Sequence, residues 1–256
     1  MSRICAVVLT LNEQRHILPC LASLAWADDR LVFDSFSSDD TPHLARSAGA
    51  RVVQHPFQNY AQQRNAALQH ANAEWVFFVD ADERCTPALA DEVRQVTRAP
   101  AHDVYAVPRH NYLFGKLTLG AGWYPDYQAR LFRVGFADFD PAREVHEVAR
   151  CRGEMGRLRN VLIHYNYDNV AQFHAKQRHY ITFEAAMLFK RGVRPRTRNF
   201  IGAPLREFKR RFFDLAGYRD GWHGLQLSAL MAWYAFLTYR RLAQLWQSDA
   251  PRSPTR

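Results

Sequence analysis

Ile4–Thr10 is an unbroken apolar run closed by a hydroxyl, and this first strand limits the fold more than any other feature of the chain. A strand with no polar alternation is one buried on both faces, the habit of parallel sheets covered by helices. Arg15–Trp26 then places Ile17, Leu18, Leu21, Leu24 and Ala25 at helical spacing. Leu31–Asp34 reads as a second strand and Arg51–Gln54 as a third, separated by a helix that Thr41 caps, Pro42 opens and Gly49 ends. Tyr60–Asn72 reads as a helix and Glu74–Asp80 as a fourth strand rich in aromatic and β-branched residues. The pattern is β-α-β-α-β-α-β, the signature of an α/β fold with a mostly parallel sheet flanked by helices.

Such sheets bind ligands beyond the carboxyl ends of their strands. Thr10, Asn12, Glu13, Asp34, Asp80 and Asp82 all fall at that edge. From Val104 the helical rhythm gives way to shorter strands and loops, and it returns near Val170 to run to Gln247. Two regions are therefore expected, 1–170 as an α/β catalytic domain and 171–256 as a basic, aromatic, mainly helical extension.

Charge separates the two parts. Residues 1–185 carry 20 Lys/Arg against 21 Asp/Glu, whereas residues 186–256 carry 14 against 4. A basic excess so confined implies an anionic partner: nucleic acid, an anionic membrane surface or a phosphorylated substrate. No base-reading motif accompanies it, and nucleic acid would leave the acidic strand ends without a use, so no nucleic acid is expected. Leu227, Leu230, Met231, Tyr234 and Leu237 form one stripe near the end, suited to core packing; Trp233, Tyr234 and Tyr239 are the candidates for headgroup depth if the segment meets lipid. No apolar run reaches the roughly 18 residues of a spanning helix, and Ile4–Leu11 lacks a cleavage-site pattern, so a cytoplasmic chain is expected. The four cysteines have no C-x-x-C spacing and read as buried thiols.

Val79-Asp80-Ala81-Asp82-Glu83 closes the fourth strand. Two carboxylates one residue apart suit Mg²⁺ or Mn²⁺, hard cations that bridge to substrate phosphates. A solvated turn ahead of Thr86-Pro87 is the plainer use of the same residues.

In chain order, Thr10-Leu11-Asn12-Glu13, Val32-Phe33-Asp34-Ser35, Ser38-Asp39-Asp40-Thr41, Gln63-Arg64-Asn65 and Trp75 to Glu83 resemble family 2 glycosyltransferases of the GT-A fold. Gly122-Trp123-Tyr124-Pro125-Asp126, Arg130-Leu131-Phe132-Arg133, Val145-His146-Glu147, Ile163-His164-Tyr165 and Gly221-Trp222-His223-Gly224 extend the resemblance to the bacterial lipopolysaccharide-core group. That group transfers glucose onto inner-core heptose.

The resemblance implies an inverting, metal-dependent transfer of a hexose, expected to be glucose from UDP-glucose, to a glycan or glycolipid acceptor at the inner face of the bacterial inner membrane. Another lipid-linked glycan, a peptide acceptor, or a non-catalytic relative are the alternatives. It puts Thr10, Asn12, Glu13, Asp34, Arg64, Asp80 and Arg130 at the nucleotide-sugar. Asp80 and Asp82 would hold the metal, with His146 or His164 as further ligands, each of them as readily a core histidine. Asp126 and Glu147 are the candidates for the base, an ion pair with an arginine being the alternative use of either; Arg130 would bind donor phosphate or an acceptor anion, or brace Asp126. Two departures stand out: Phe36 occupies a loop position where the group has glycine, and Pro125-Asp126 replaces the usual Glu-Asp pair.

Overall fold

The computed structural model describes residues 2–140, 149–151 and 153–249. The chain divides into two compact units, Met1–His110 with Pro125–Tyr165, and Asn111–Tyr124 with Asn166–Arg256.

The chain begins β1 (Ile4–Thr10), α1 (Ile17–Ser23), β2 (Asp29–Asp34), α2 (Thr41–Ser47), β3 (Arg51–Gln54), α3 (Tyr60–His70), β4 (Trp75–Asp80), which is the alternation expected from the sequence. There follow β5 (Glu83–Cys85), α4 (Pro87–Arg98), β6 (Val104–Leu113), β7 (Lys116–Thr118), β8 (Asp126–Arg133), β9 (Ala137–Phe139), β10 (Ala149–Cys151), β11 (Gly156–Arg157) and β12 (Leu162–Tyr167). The main sheet runs β3-β2-β1-β4-β8-β6-β12-β5. Strands β1 to β4 are parallel, and β8 joins β4 antiparallel.

The continuous apolar runs are explained by a helical layer on each face. Along β1, Ile4, Ala6 and Val8 enter one core with Ile17, Leu21, Val32 and Phe77, while Cys5 and Val7 enter the other with Phe33, Ala67 and Phe78. Successive side chains of a strand point to opposite faces, so both sets must be apolar. Asn59 Oδ1 accepts from the Gln62 amide at 2.9 Å and Thr86 Oγ1 from the Leu89 amide at 3.2 Å, fixing the starts of α3 and α4. Cys5, Cys20 and Cys85 are buried free thiols; Cys151 is half-buried.

The helical region expected from Val170 onward consists of α5 (Val170–Lys190), α6 (Thr197–Lys209) and α7 (Gly221–Asp249), separated by Gly192, Pro195 and a π-helical turn at Arg210–Asp214. Leu113, Tyr167, Phe173, Ile181, Leu227 and Tyr234 form the core of this second unit. The α7 stripe is thus used for packing, with Tyr234 bonded through its hydroxyl to His174 Nδ1. Gly224 is required there: a Cβ would stand 1.8 Å from the Gly217 carbonyl oxygen. Among the described residues, no helix is long and apolar enough to cross a membrane.

Candidate active site

The carboxyl ends of β1, β2 and β4 deliver Thr10, Asp34 and Asp80 side by side: Thr10 is in register with Asp34, and Leu9 with Asp80. Asp34 is fully buried. Its carboxylate accepts from Thr10 Oγ1 at 2.9 Å, from the Ser37 amide at 2.9 Å and from Gln54 Nε2 at 3.3 Å. The Ser37 hydroxyl donates to it as well, so four donors satisfy a charge that burial would otherwise penalise. In this structure Asp34 holds the loop that follows β2, so a base or ribose would meet the surface this carboxylate shapes.

That loop is laced to the one after β1. Asn12 Oδ1 accepts from the Ser38 amide at 2.8 Å, and the Glu13 amide donates to Thr41 Oγ1 at 2.8 Å. Phe36 sits at φ 59°, the left-handed region, and is 57% exposed. A non-glycine residue there costs about 1–2 kcal/mol. Phe36→Gly is therefore expected to stabilise the protein by about 1 kcal/mol, raising the urea midpoint at constant slope. A lowered midpoint would mean that the ring packs in a way its exposure does not suggest.

Past β4, the acidic run folds back. Tyr165 donates its amide to the Asp82 carbonyl at 3.0 Å, and His164 is in register with Glu83. This pairing of β12 with β5 sets His164 Nε2 3.3 Å from Asp82 Oδ2, with side-chain exposures of 8% and 33%. Adjacent ligands on an octahedral cation lie about 3 Å apart, so the pair fits two neighbouring coordination positions. An imidazole is an unusual partner for Mg²⁺, which favours Mn²⁺ of the two. Among the described residues no group of three or more His, Cys, Asp or Glu could hold a metal. Among the described residues, Asp82 and His164 are the pair that would face such a cation. Burial, then the charges of Asp82, Asp39 and Asp80, push the Glu13 carboxyl up to about 7.

Asp80 is differently engaged. Both of its oxygens accept from Arg130, at 3.2 Å for Nη1–Oδ1, and Arg64 Nη2 lies 3.7 Å away. Burial would raise its pKa, but the Arg130 and Arg64 charges outweigh that and hold it well below the usual carboxylate range. Arg64 is buried on α3, its guanidinium 5.1 Å from the Phe78 ring centroid.

Arg130 does not brace Asp126. It is buried and its Nη2 also bonds Glu83 Oε1. The brace is Arg109, a residue that no sequence motif marks: its Nε and Nη2 reach Asp126 Oδ2 at 2.9 and 2.6 Å, and its Nη1 reaches Glu83 Oε1 at 3.1 Å. Glu83 has no exposed surface, and its Oε2 accepts the Asp80 amide at 2.9 Å. The charges therefore alternate in one chain, Asp126, Arg109, Glu83, Arg130, Asp80. Three acids within four residues were the available signal, since a carboxylate heading a buried strand needs cations beside it. Which arginines answer it depends on β6 and β8, whose register sets Arg109 opposite Asp126. His146 and Glu147 lie outside the described residues.

The mostly parallel α/β sheet flanked by helices is the GT-A arrangement, with acidic residues gathered at its strand ends. The family model described as glycosyl transferase family 2 matches residues 5–164, and the chain belongs to that family and is a glycosyltransferase. Among curated relatives, the lipopolysaccharide core biosynthesis glycosyltransferase LpsC of Rhizobium meliloti is 31% identical, over 93% of this chain and 91% of that one. An uncharacterized glycosyltransferase of Rickettsia typhi is 24% identical over 96% and 88% of the two chains. Among solved structures, glucosyl-3-phosphoglycerate synthase from Mycobacterium tuberculosis in complex with Mn²⁺ and UDP-glucose overlays 43% of this chain and 44% of that one, at 24% identity and a TM-score of 0.37.

Proposed function

We propose that this chain is an inverting hexosyltransferase that moves glucose from UDP-glucose onto a heptose of the lipopolysaccharide inner core. The observation that carries the reading is the ion-pair chain from Asp126 to Asp80, which ties a candidate base to the carboxylates of the donor edge. The acceptor class is supported by the similarity to LpsC across nearly the whole chain. The donor follows from the resemblance of the strand-end motifs.

In this mechanism Thr10, Asn12 and the Asp34-held loop receive the nucleoside. Arg64 and Arg130 balance the Asp80 charge beside the diphosphate. Asp82 and His164 would hold Mn²⁺ or Mg²⁺, which when bound neutralises the charge that develops on the leaving diphosphate. Asp126 takes the proton of the acceptor hydroxyl as its oxygen attacks the anomeric carbon from the face opposite the diphosphate. The new glycosidic bond forms as the bond to the diphosphate oxygen breaks, so the anomeric configuration inverts. Arg109 and Gln128 Nε2, the latter 2.7 Å from Asp126 Oδ1, fix the carboxyl group for that step.

Asp126→Asn tests the assignment. With UDP-glucose and a heptose-terminated core acceptor, kcat is expected to fall by about 10²–10⁴-fold. UDP affinity in the presence of Mn²⁺ is expected to hold within about two-fold, since Asp126 does not touch the donor in this scheme. Undiminished turnover would remove Asp126 as the base and leave Glu147.

A further inference from the structure

Helix α6 is apolar on two opposite sides, and one of them has no use within its own unit. Ala203 is buried, and Phe200 meets Phe236 of α7 at 6.1 Å between ring centroids, so this side packs inward. Ile201 and Leu205 stand about 160° around the helix from Ala203. They are 65% and 63% exposed, and Phe213 in the following turn is 58% exposed. A helix packed on one face ordinarily turns polar residues outward. An apolar ridge in their place marks a contact surface.

The surroundings of the ridge indicate what it meets. Residues 191–214 hold eight Lys/Arg against two acids. Arg194, Arg196, Arg198, Arg206, Lys209 and Arg210 are exposed. Of the two carboxylates, Glu207 is half-buried and bonded at 2.7 Å to both Arg210 Nη2 and Arg211 Nε, and Asp214 is exposed and accepts from Lys209 Nζ at 3.1 Å, which leaves Arg194, Arg196, Arg198 and Arg206 as the cations beside the ridge. The outward face thus offers hydrocarbon bordered by cations. A second copy of the chain would set like charges against each other. Nucleic acid would use the cations but leave Ile201 and Leu205 in water. A bilayer with anionic headgroups uses both, its phosphates meeting the arginines and its acyl boundary meeting the ridge.

We propose that the outer ridge of α6, Ile201, Leu205 and Phe213 with their bordering arginines, docks this chain on an anionic phospholipid surface. This goes beyond the transfer reaction and stands or falls separately from it. The residues differ from those suggested by the sequence pattern. Tyr234 is buried, so the α7 stripe belongs to the core. Trp233, 50% exposed, stacks on Phe236, which in turn meets Phe200 of α6.

Sedimentation of the full chain with vesicles tests the proposal. Binding is expected to phosphatidylcholine vesicles containing phosphatidylglycerol and not to phosphatidylcholine alone, and high salt is expected to release it. The double substitution Ile201→Ser, Leu205→Ser is expected to weaken binding by about ten-fold or more with an unchanged melting temperature. Arg198→Ala and Arg206→Ala should each cost about five-fold. Arg98→Ala, which removes an exposed charge from α4, should cost nothing. Equal binding to the two vesicle types, or a double variant that binds as well as wild type, would overturn the proposal. So would a dimer, seen by light scattering, that the double variant loses.

Discussion

Asp82→Asn is expected to abolish the manganese-dependent part of UDP binding, lowering affinity in the presence of Mn²⁺ by at least about 100-fold. Weak metal-independent binding through the loops after β1 and β2 should survive. Asp82 is one-third exposed and its amide analogue is the same size, so the fold should not change. His164→Ala should act in the same direction, because Nε2 is the other donor facing that point. Calorimetric titration of UDP with and without Mn²⁺ into wild type and both variants makes the measurement. If Asp82→Asn kept its full metal-dependent heat, the Asp82–His164 contact would be a plain ion pair, and the metal would have to be held elsewhere.

Glu83→Ala is expected to destabilise the first unit by about 3–5 kcal/mol, the cost of removing one partner from a buried ion pair. Arg109 and Arg130 would then lose the acceptor they share at a site with no solvent, and the Asp80 amide would lose its cap. For a chain of this length, the melting temperature should drop by about 10 °C. Glu83→Gln should lose less, since its amide oxygen can still accept from both arginines at the Oε1 position, while its NH₂ group would face the Asp80 amide that Oε2 now accepts. Urea denaturation of the three proteins distinguishes the cases. Equal stability of Glu83→Ala and wild type would mean that Arg109 and Arg130 are satisfied by Asp126 and Asp80 alone.

These two expectations differ in how far the sequence could reach them. Asp82 was legible because a carboxylate pair closing an apolar strand is a local pattern, and the strand's burial fixes which end of it meets a ligand. His164 was legible as a candidate, but it lies far along the chain from Asp82, and only the antiparallel pairing of β12 with β5 joins them. Arg109 carried no sequence signal at all. It lies within a strand, and its role depends on β6 standing in register with β8 so that Arg109 faces Asp126. For Arg130 the sequence offered a phosphate, an acceptor anion or Asp126 as partner, and only the fold of the strands sets its guanidinium against Asp80 and Glu83.

The sequence by itself determined the α/β alternation, the edge where the acidic residues gather and the family. All three rest on local properties: period-two burial, capping and turn residues, and short motifs read along one strand and its loop. The tertiary structure decided which charges pair, which helix face is core and which is left outward. Phe36 was recognisable as a departure from glycine, but its cost became definite only when the loop proved to need a left-handed backbone at that position. The basic aromatic region was recognisable in the same way, as an amphipathic segment with two candidate faces. A helix has no preferred face until something packs against it: the α7 stripe packs into the core, as its spacing suited, and the ridge of α6 stays exposed.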